Sequence, residues 1–258
     1  MDDLKGKTVL LTGASTGLGP HIARRLHESG VKFVLSARSE AALKKLAKEL
    51  GGSRVIVADL ARAGEPERLA EEAGHVDVLV SNAGVPASGR LATFTIEEID
   101  RARSTCAQAS CSPIGSHPAG HIVFLSSIAG KVPAAGATIY NATKFGLRGS
   151  GLALREELWG TEVGVSVIYP TFVNEAGMWA ETGLKANPMA GEVSPAEVAG
   201  AVWSAITKNR GEVDVAPIQL RAGLVLQALA PGLFTAVARS TGASSVGDEL
   251  GDRQRTKR

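Results

Sequence analysis

The chain has 258 residues, 44% hydrophobic and 21% charged, with a formal net charge of +2. That length suits one α/β domain with a substantial core, and so small a charge gives no reason to expect a polyanionic partner. No apolar run reaches the roughly 18 residues of a membrane span, the charged start "MDDLKGK" lacks a signal-peptide core, and two cysteines make no disulfide framework, so a cytoplasmic location is expected.

In chain order, β-branched apolar runs alternate with longer amphipathic stretches. "KTVLLTG" predicts a buried strand ended by Gly13, and "GPHIARRLHESG" a helix closed by Gly30. "KFVLSAR" is a second strand, followed by the helix "SEAALKKLAKELGG" with Ser39 as N-cap and Gly51 beyond its end. The strands "RVIVADL", "VDVLVSNAG", "GHIVFLSS", "GVSVIYP" and "EVDVAP" follow, with the helices "EPERLAEEAG" and "SPAEVAGAVWSAITKN" among the intervening segments. Continuous apolar strands separated by helices predict a doubly wound parallel sheet covered on both faces. Residues 1–240 are expected to form this single domain. The small, polar stretch 241–258 is expected to fray, with its basic end solvated.

Glycines 13, 17 and 19 fall between the first strand and the first helix. There they let the backbone approach a pyrophosphate, whose charge the helix N-terminus favours. Arg38 follows the second strand, and Ala37 stands where an NAD site usually carries an acid for the ribose. A cation there suits the 2′-phosphate of NADP, with NAD as the alternative. Asp59 ends the third strand, within reach of an adenine amino group, and Asn82, Ala83 and Gly84 end the fourth, near the cofactor ribose of a doubly wound sheet. Tyr140 and Lys144 share a helix face four residues apart. An ammonium beside a phenol stabilises the phenolate, which turns an inert phenol into a proton donor or acceptor. Ser127, at the end of the fifth strand, is placed to hydrogen-bond a substrate oxygen.

Taken together, "TGASTGLG", "ADL", "NAG", a serine thirteen residues before the tyrosine, and "YNATK" resemble the short-chain dehydrogenase/reductase family, over nearly the whole chain. The resemblance implies a Rossmann-type sheet of seven strands and hydride transfer between NAD(P) and an alcohol or carbonyl. It implies catalytic roles for Ser127, Tyr140 and Lys144, with Lys144 also holding the nicotinamide ribose. The implied cofactor contacts are Gly13, Ser15, Gly17, Leu18, Gly19, Arg38, Asp59, Leu60, Asn82, Ala83, Gly84, Tyr140, Lys144 and Val173. In "YPTFVNEAGM", Thr171 and Glu175 depart from the family's glycine and threonine. Residues 176–195 fall where the family has a variable lid, in which Met178, Trp179 and Leu184 either line an apolar pocket or pack the loop. The apolar stretch 218–240 covers a dimer partner, the lid or a membrane surface.

One passage does not fit. "RSTCAQASCSPIGSHP", within 103–118, lacks the apolar period of a helix and contains Pro113. The family has there a helix whose asparagine ties a water to the catalytic lysine, and no asparagine lies between Asp100 and Ser126. The helix is therefore expected to be disrupted at 103–118. Arg-Ser-Thr-Cys-Ala can be encoded CGG TCA ACC TGC GCG, which read two bases later gives Val-Asn-Leu-Arg, so the passage is expected to be a frame-shifted reading of that helix, with a genuine divergent loop as the alternative. Because this helix commonly forms a subunit interface in the family, a dimer or tetramer is expected, weakened by its loss. An inactive cofactor-binding or regulatory protein is the competing expectation. Cys106, Cys111, His117 and His121 match no zinc spacing, and no metal is expected.

Overall fold

The computed structural model describes residues 3–108, 119–186, 190–240 and 246–254. Seven strands form one parallel sheet: β1 (Thr8–Thr12), β2 (Lys32–Ala37), β3 (Arg54–Val57), β4 (Val78–Ser81), β5 (Ala119–Leu125), β6 (Glu162–Pro170) and β9 (Glu212–Val215), in the order β3-β2-β1-β4-β5-β6-β9. The short strands β7 (Phe172–Val173) and β8 (Glu192–Val193) pair apart from it. Alternate strand residues feed two cores. Val9, Leu11, Val78, Val80 and Val123 pack under α1 (Gly19–His27), α2 (Glu40–Glu49) and α7 (Pro195–Thr207). Leu10, Leu79, Ile122 and Val165 pack under α3 (Glu65–Ala73) and α5 (Thr138–Glu157). The strands are apolar on both sides because both faces are covered.

Local signals set the helix starts. The Ser39 hydroxyl accepts from the Ala42 amide, and Ser194 and Glu197 form a reciprocal capping box at α7. A similar pair, Thr95 and Glu98, opens α4 (Ile96–Gln108): the Glu98 amide donates to Thr95 Oγ1 at 3.2 Å, and the Thr95 amide to Glu98 Oε2 at 2.9 Å. Helix α4 carries its backbone to Gln108, into the first part of the stretch 103–118 expected to be disrupted. The reason is a buried stripe. Ala102 and Thr105 are buried, and the Thr105 hydroxyl donates to the Arg101 carbonyl inside the helix. The rest of the anomalous passage, including Cys111, Pro113 and His117, lies outside the described residues.

Part of the stretch expected to fray is ordered. Residues 246–254 form α10 (Val246–Gln254), docked on the domain instead of fraying. Arg253 Nη1 donates to the Thr182 carbonyl at 2.9 Å, and Gln254 Nε2 to the Met178 carbonyl at 3.3 Å. The helix comes so close that a Cβ on Gly251 would lie 2.4 Å from the Gly89 Cα. Between α7 and α10 stand α8 (Ile218–Leu229) and α9 (Pro231–Ser240), packed on each other with Ile218, Val225, Leu229 and Leu233 exposed. No helix among the described residues is long and apolar enough to cross a membrane.

His121 sits inside β5, its Nε2 2.8 Å from Ser166 Oγ and its ring against Gly164, where a Cβ would lie 2.4 Å from Nδ1. Burial pushes its pKa from 6.5 down to about 3. The unfolded chain therefore binds a proton here between those values and the folded chain does not. This contribution to stability is complete above pH 6.5 and is lost on acidification, at up to roughly 1.4 kcal/mol per pH unit. Urea unfolding between pH 7 and 5 should show a steeper loss for the native chain than for His121→Gln. Equal slopes would contradict this assignment.

Candidate active site

The strand order reverses between β1 and β4, and a doubly wound sheet has its binding crevice at such a point, beyond the carboxyl ends of the strands. Gly13 directly follows β1 and Asn82 directly follows β4. Both line a cavity of about 400 Å³, together with Gly17, Leu18, Ala83 and Gly84. The two turns are fastened to each other. Asn82 Nδ2 donates to the carbonyls of Thr12 and Gly13, and Thr12 Oγ1 accepts from the amides of Asn82 and Ala83. A Cβ on Gly13, which has φ 62°, would lie 2.9 Å from the Ala83 Cα. One on Gly19 would lie 2.2 Å from the Gly13 carbonyl oxygen. Glycine is thus required by the close approach of backbone to backbone, and the loop leads straight into the N-terminus of α1.

Ser127, Tyr140 and Lys144 line the same cavity. Ser127 Oγ accepts from the Ala129 amide at 3.2 Å and donates to the Pro170 carbonyl at 3.3 Å. Lys144 is buried, its Nζ donates to the Leu125 carbonyl at 2.9 Å, and it stands 5.7 Å from the centre of the Tyr140 ring. Tyr140 is held at its backbone by the bond from its amide to the Ala87 carbonyl.

Val173, Met178 and Trp179 also line the cavity, whereas Leu184 is not among the lining residues. Trp179 packs on Phe172, ring centroids 4.1 Å apart, and its Nε1 donates to Glu192 Oε1. Glu175 takes a positive φ of 61° just before this segment. Of the remaining candidates, Ser15, Gly19, Arg38, Asp59 and Leu60 do not line the cavity. Arg38 is exposed beyond β2, and Asp59 is half-buried beyond β3, its carboxylate accepting from the Ala61 amide. Both strands lie on the β1 side of the switch point, so these residues sit along the same edge of the sheet. Among the described residues no cluster of metal-ligating side chains occurs.

Several contributors carry no motif. Asn141, the residue after Tyr140, accepts from the Ala134 amide and donates to the carbonyls of Ala129 and Val132, and so holds the loop that brings Val132 and Ala134 to the cavity. Lys131 pins that loop to β9 through Asp214 at 2.7 Å and Glu212 at 3.3 Å. Leu220 from α8, and Leu250 and Gln254 from α10, complete the lining. Only the buried-pattern run at 218–240 hinted at any of these.

A seven-stranded parallel sheet with this crevice is a Rossmann-type architecture, and the short chain dehydrogenase family matches residues 7–187. The chain belongs to the short-chain dehydrogenase/reductase family of NAD(P)-dependent oxidoreductases. It is similar to the ketoacyl reductase HetN of Nostoc sp., 36% identical over 230 residues that cover 83% of this chain and 80% of the relative. It is also similar to dehydrogenase/reductase SDR family member 7B of Mus musculus, 31% identical over 92% of this chain and 81% of the relative. Among solved structures, a short-chain dehydrogenase/reductase from Burkholderia phymatum in complex with NAD superposes with a TM-score of 0.77 at 25% identity, over 90% of this chain and 96% of that one. A blue fluorescent protein from a metagenomic library in complex with NADPH gives 0.73 at 26% identity, over 83% and 97%.

Proposed function

We propose that the protein reduces a largely apolar ketone to a secondary alcohol, or runs the reverse oxidation, with NADP(H) as the preferred cofactor. The observation that carries this reading is the meeting of Ser127, Tyr140 and Lys144 with the glycine loop on one cavity. The close backbone packing around Gly13 and Gly19 fits a dinucleotide, whose pyrophosphate is favoured by the amides at the start of α1. The nicotinamide cofactor, when bound, supplies or accepts the hydride. Tyr140 Oη donates the proton to the developing alkoxide. The ammonium of Lys144, 5.7 Å from the ring centre, lies close enough to offset the charge left on that oxygen. An ammonium has three donors, and the carbonyl of Leu125 uses one, leaving donors for the cofactor ribose. Ser127 Oγ orients the substrate oxygen by turning its one hydrogen to it from the Pro170 carbonyl.

The preference for NADP(H) rests on Arg38, an exposed cation beyond β2 preceded by Ala37 in place of an acid. Isothermal titration should show tighter binding of NADPH than of NADH, and Arg38→Asp should reverse the order. Tighter NADH binding by the native chain would refute the preference.

One observation favours a second reading, a cofactor-binding protein with impaired turnover. The described part of α4 holds no asparagine, and Thr105, on its buried face, spends its hydroxyl on Arg101. A screen of carbonyl compounds with NADPH separates the two readings: NADPH binding without oxidation of NADPH by any compound supports the second.

A further inference from the structure

Helix α8 is apolar on two opposite sides, and the fold uses only one of them. At about 100° per residue, Ile218, Ala222, Val225 and Leu229 fall on one side of the helix. All four are exposed, Ile218 at 71% and Leu229 at 81%, so no described residue covers them. Leu220 and Leu224 fall on the other side, where Leu220 lines the cavity and Leu224 is buried. Helix α9 packs beside α8, where a Cβ on Gly223 would lie 3.5 Å from the Phe234 ring, and exposes Leu233 four residues beyond Leu229. Single exposed leucines are ordinary, but a stripe of them along one helix side marks an interaction surface.

The charges around the stripe select its partner. From Val215 to Gly247 the sequence holds two arginines, Arg221 and Arg239, and no aspartate or glutamate. Arg221 is exposed three residues after Ile218 and four before Val225, so it borders the stripe. Arg239 is exposed in the last turn of α9. Exposed leucines rimmed by cations suit an anionic lipid surface: the leucines enter the acyl boundary, and the long guanidinium side chains reach the headgroup phosphates. A second copy of the chain suits the face less well. An isologous dimer sets one patch against its own copy, and this patch has no acid to meet the paired arginines. Helix α8 has 12 residues, too few to span a bilayer, so the contact is with its surface.

We propose that α8 and α9 form a docking face for an anionic lipid bilayer. Leu220 lines the cavity from the opposite side of α8, so docking places the cavity about one helix diameter, roughly 10 Å, from the lipid. The docking face goes beyond the proposed reaction and stands without it.

The test is flotation of the full chain with vesicles of phosphatidylcholine alone or of phosphatidylcholine and phosphatidylglycerol mixed two to one. The native chain should float with the mixed vesicles and bind the neutral ones less tightly. Leu229→Glu should weaken binding about tenfold or more, since burial of one leucine is worth that much. Arg221→Glu should weaken it about fivefold. Both positions are exposed, so the fold should be kept; thermal melting checks this, and Ile218→Ser serves if Leu229→Glu does not fold. Trp159→Glu makes the same charge change at another exposed apolar residue, on the C-terminal side of α5, and should leave binding as it is. A native chain that stays unbound, equal binding to both kinds of vesicle, or binding that survives Leu229→Glu overturns the proposal, as does an equal loss with Trp159→Glu. A native dimer that Leu229→Glu dissociates, without vesicle binding, also overturns it and gives the face to a second copy.

Discussion

Tyr140→Phe should lower turnover by roughly two to four orders of magnitude, the usual weight of a positioned general acid. The substitution removes one oxygen and leaves the rest of the ring. The packing of Tyr140 against Ala87, Ala102 and Ile139 is kept, as is the bond from its amide to Ala87. Lys144 stays anchored on Leu125, so the ammonium remains in place for the proposed contact with the cofactor ribose. NADPH affinity should therefore be unchanged while kcat collapses. Steady-state kinetics alongside a binding titration check both halves, and turnover near the native rate would show that the proton comes from another group.

Gly19→Ala should do the opposite: it disturbs the frame and leaves the reacting groups alone. The added Cβ would stand 2.2 Å from the Gly13 carbonyl oxygen and 2.7 Å from the Ala14 Cα. Both are backbone atoms, so no side chain can swing away. Either α1 withdraws from β1 or the loop deforms, and overpacking of this kind costs about 3 kcal/mol. For a domain of this size that lowers Tm by about 6–12 °C. NADPH binding should weaken in parallel, because the amides at the start of α1 move with the loop. Calorimetry and a cofactor titration test this together; a native Tm with native affinity would mean that the loop has more room than its contacts indicate.

The sheet was legible because its signal is local. Runs such as "TVLLT" and "VGVSVIY" put apolar residues on both alternating faces, as a strand covered on both sides requires, and the loops between them carry glycine or capping residues. The catalytic candidates were legible for a similar reason: Tyr140 and Lys144 are one helical turn apart, and Ser127 lies two residues beyond the end of β5. What escaped was held by few, long-range contacts. Among its described side chains, helix α10 has one large apolar residue, Leu250, and it docks through backbone carbonyls and a glycine, none of which leaves a period in the sequence. Helix α4 buries alanine and threonine instead of aliphatic residues, so its stripe at residues 102 and 105 was hidden from a count of apolar positions. Asn141 holds its loop by three hydrogen bonds and reads in the sequence as an ordinary helix residue.

The central claim, that this cavity carries out hydride transfer with Tyr140 as the proton donor, is tested most directly by isotope transfer. The full chain is incubated with NADPH deuterated at both C4 positions and with a panel of apolar ketones, and the products are read by mass spectrometry. The account predicts an alcohol that carries one deuterium on its carbinol carbon, formed by the native chain and lost with Tyr140→Phe. Failure of the native chain to form any deuterated alcohol, or equal labelling by the phenylalanine variant, would contradict it.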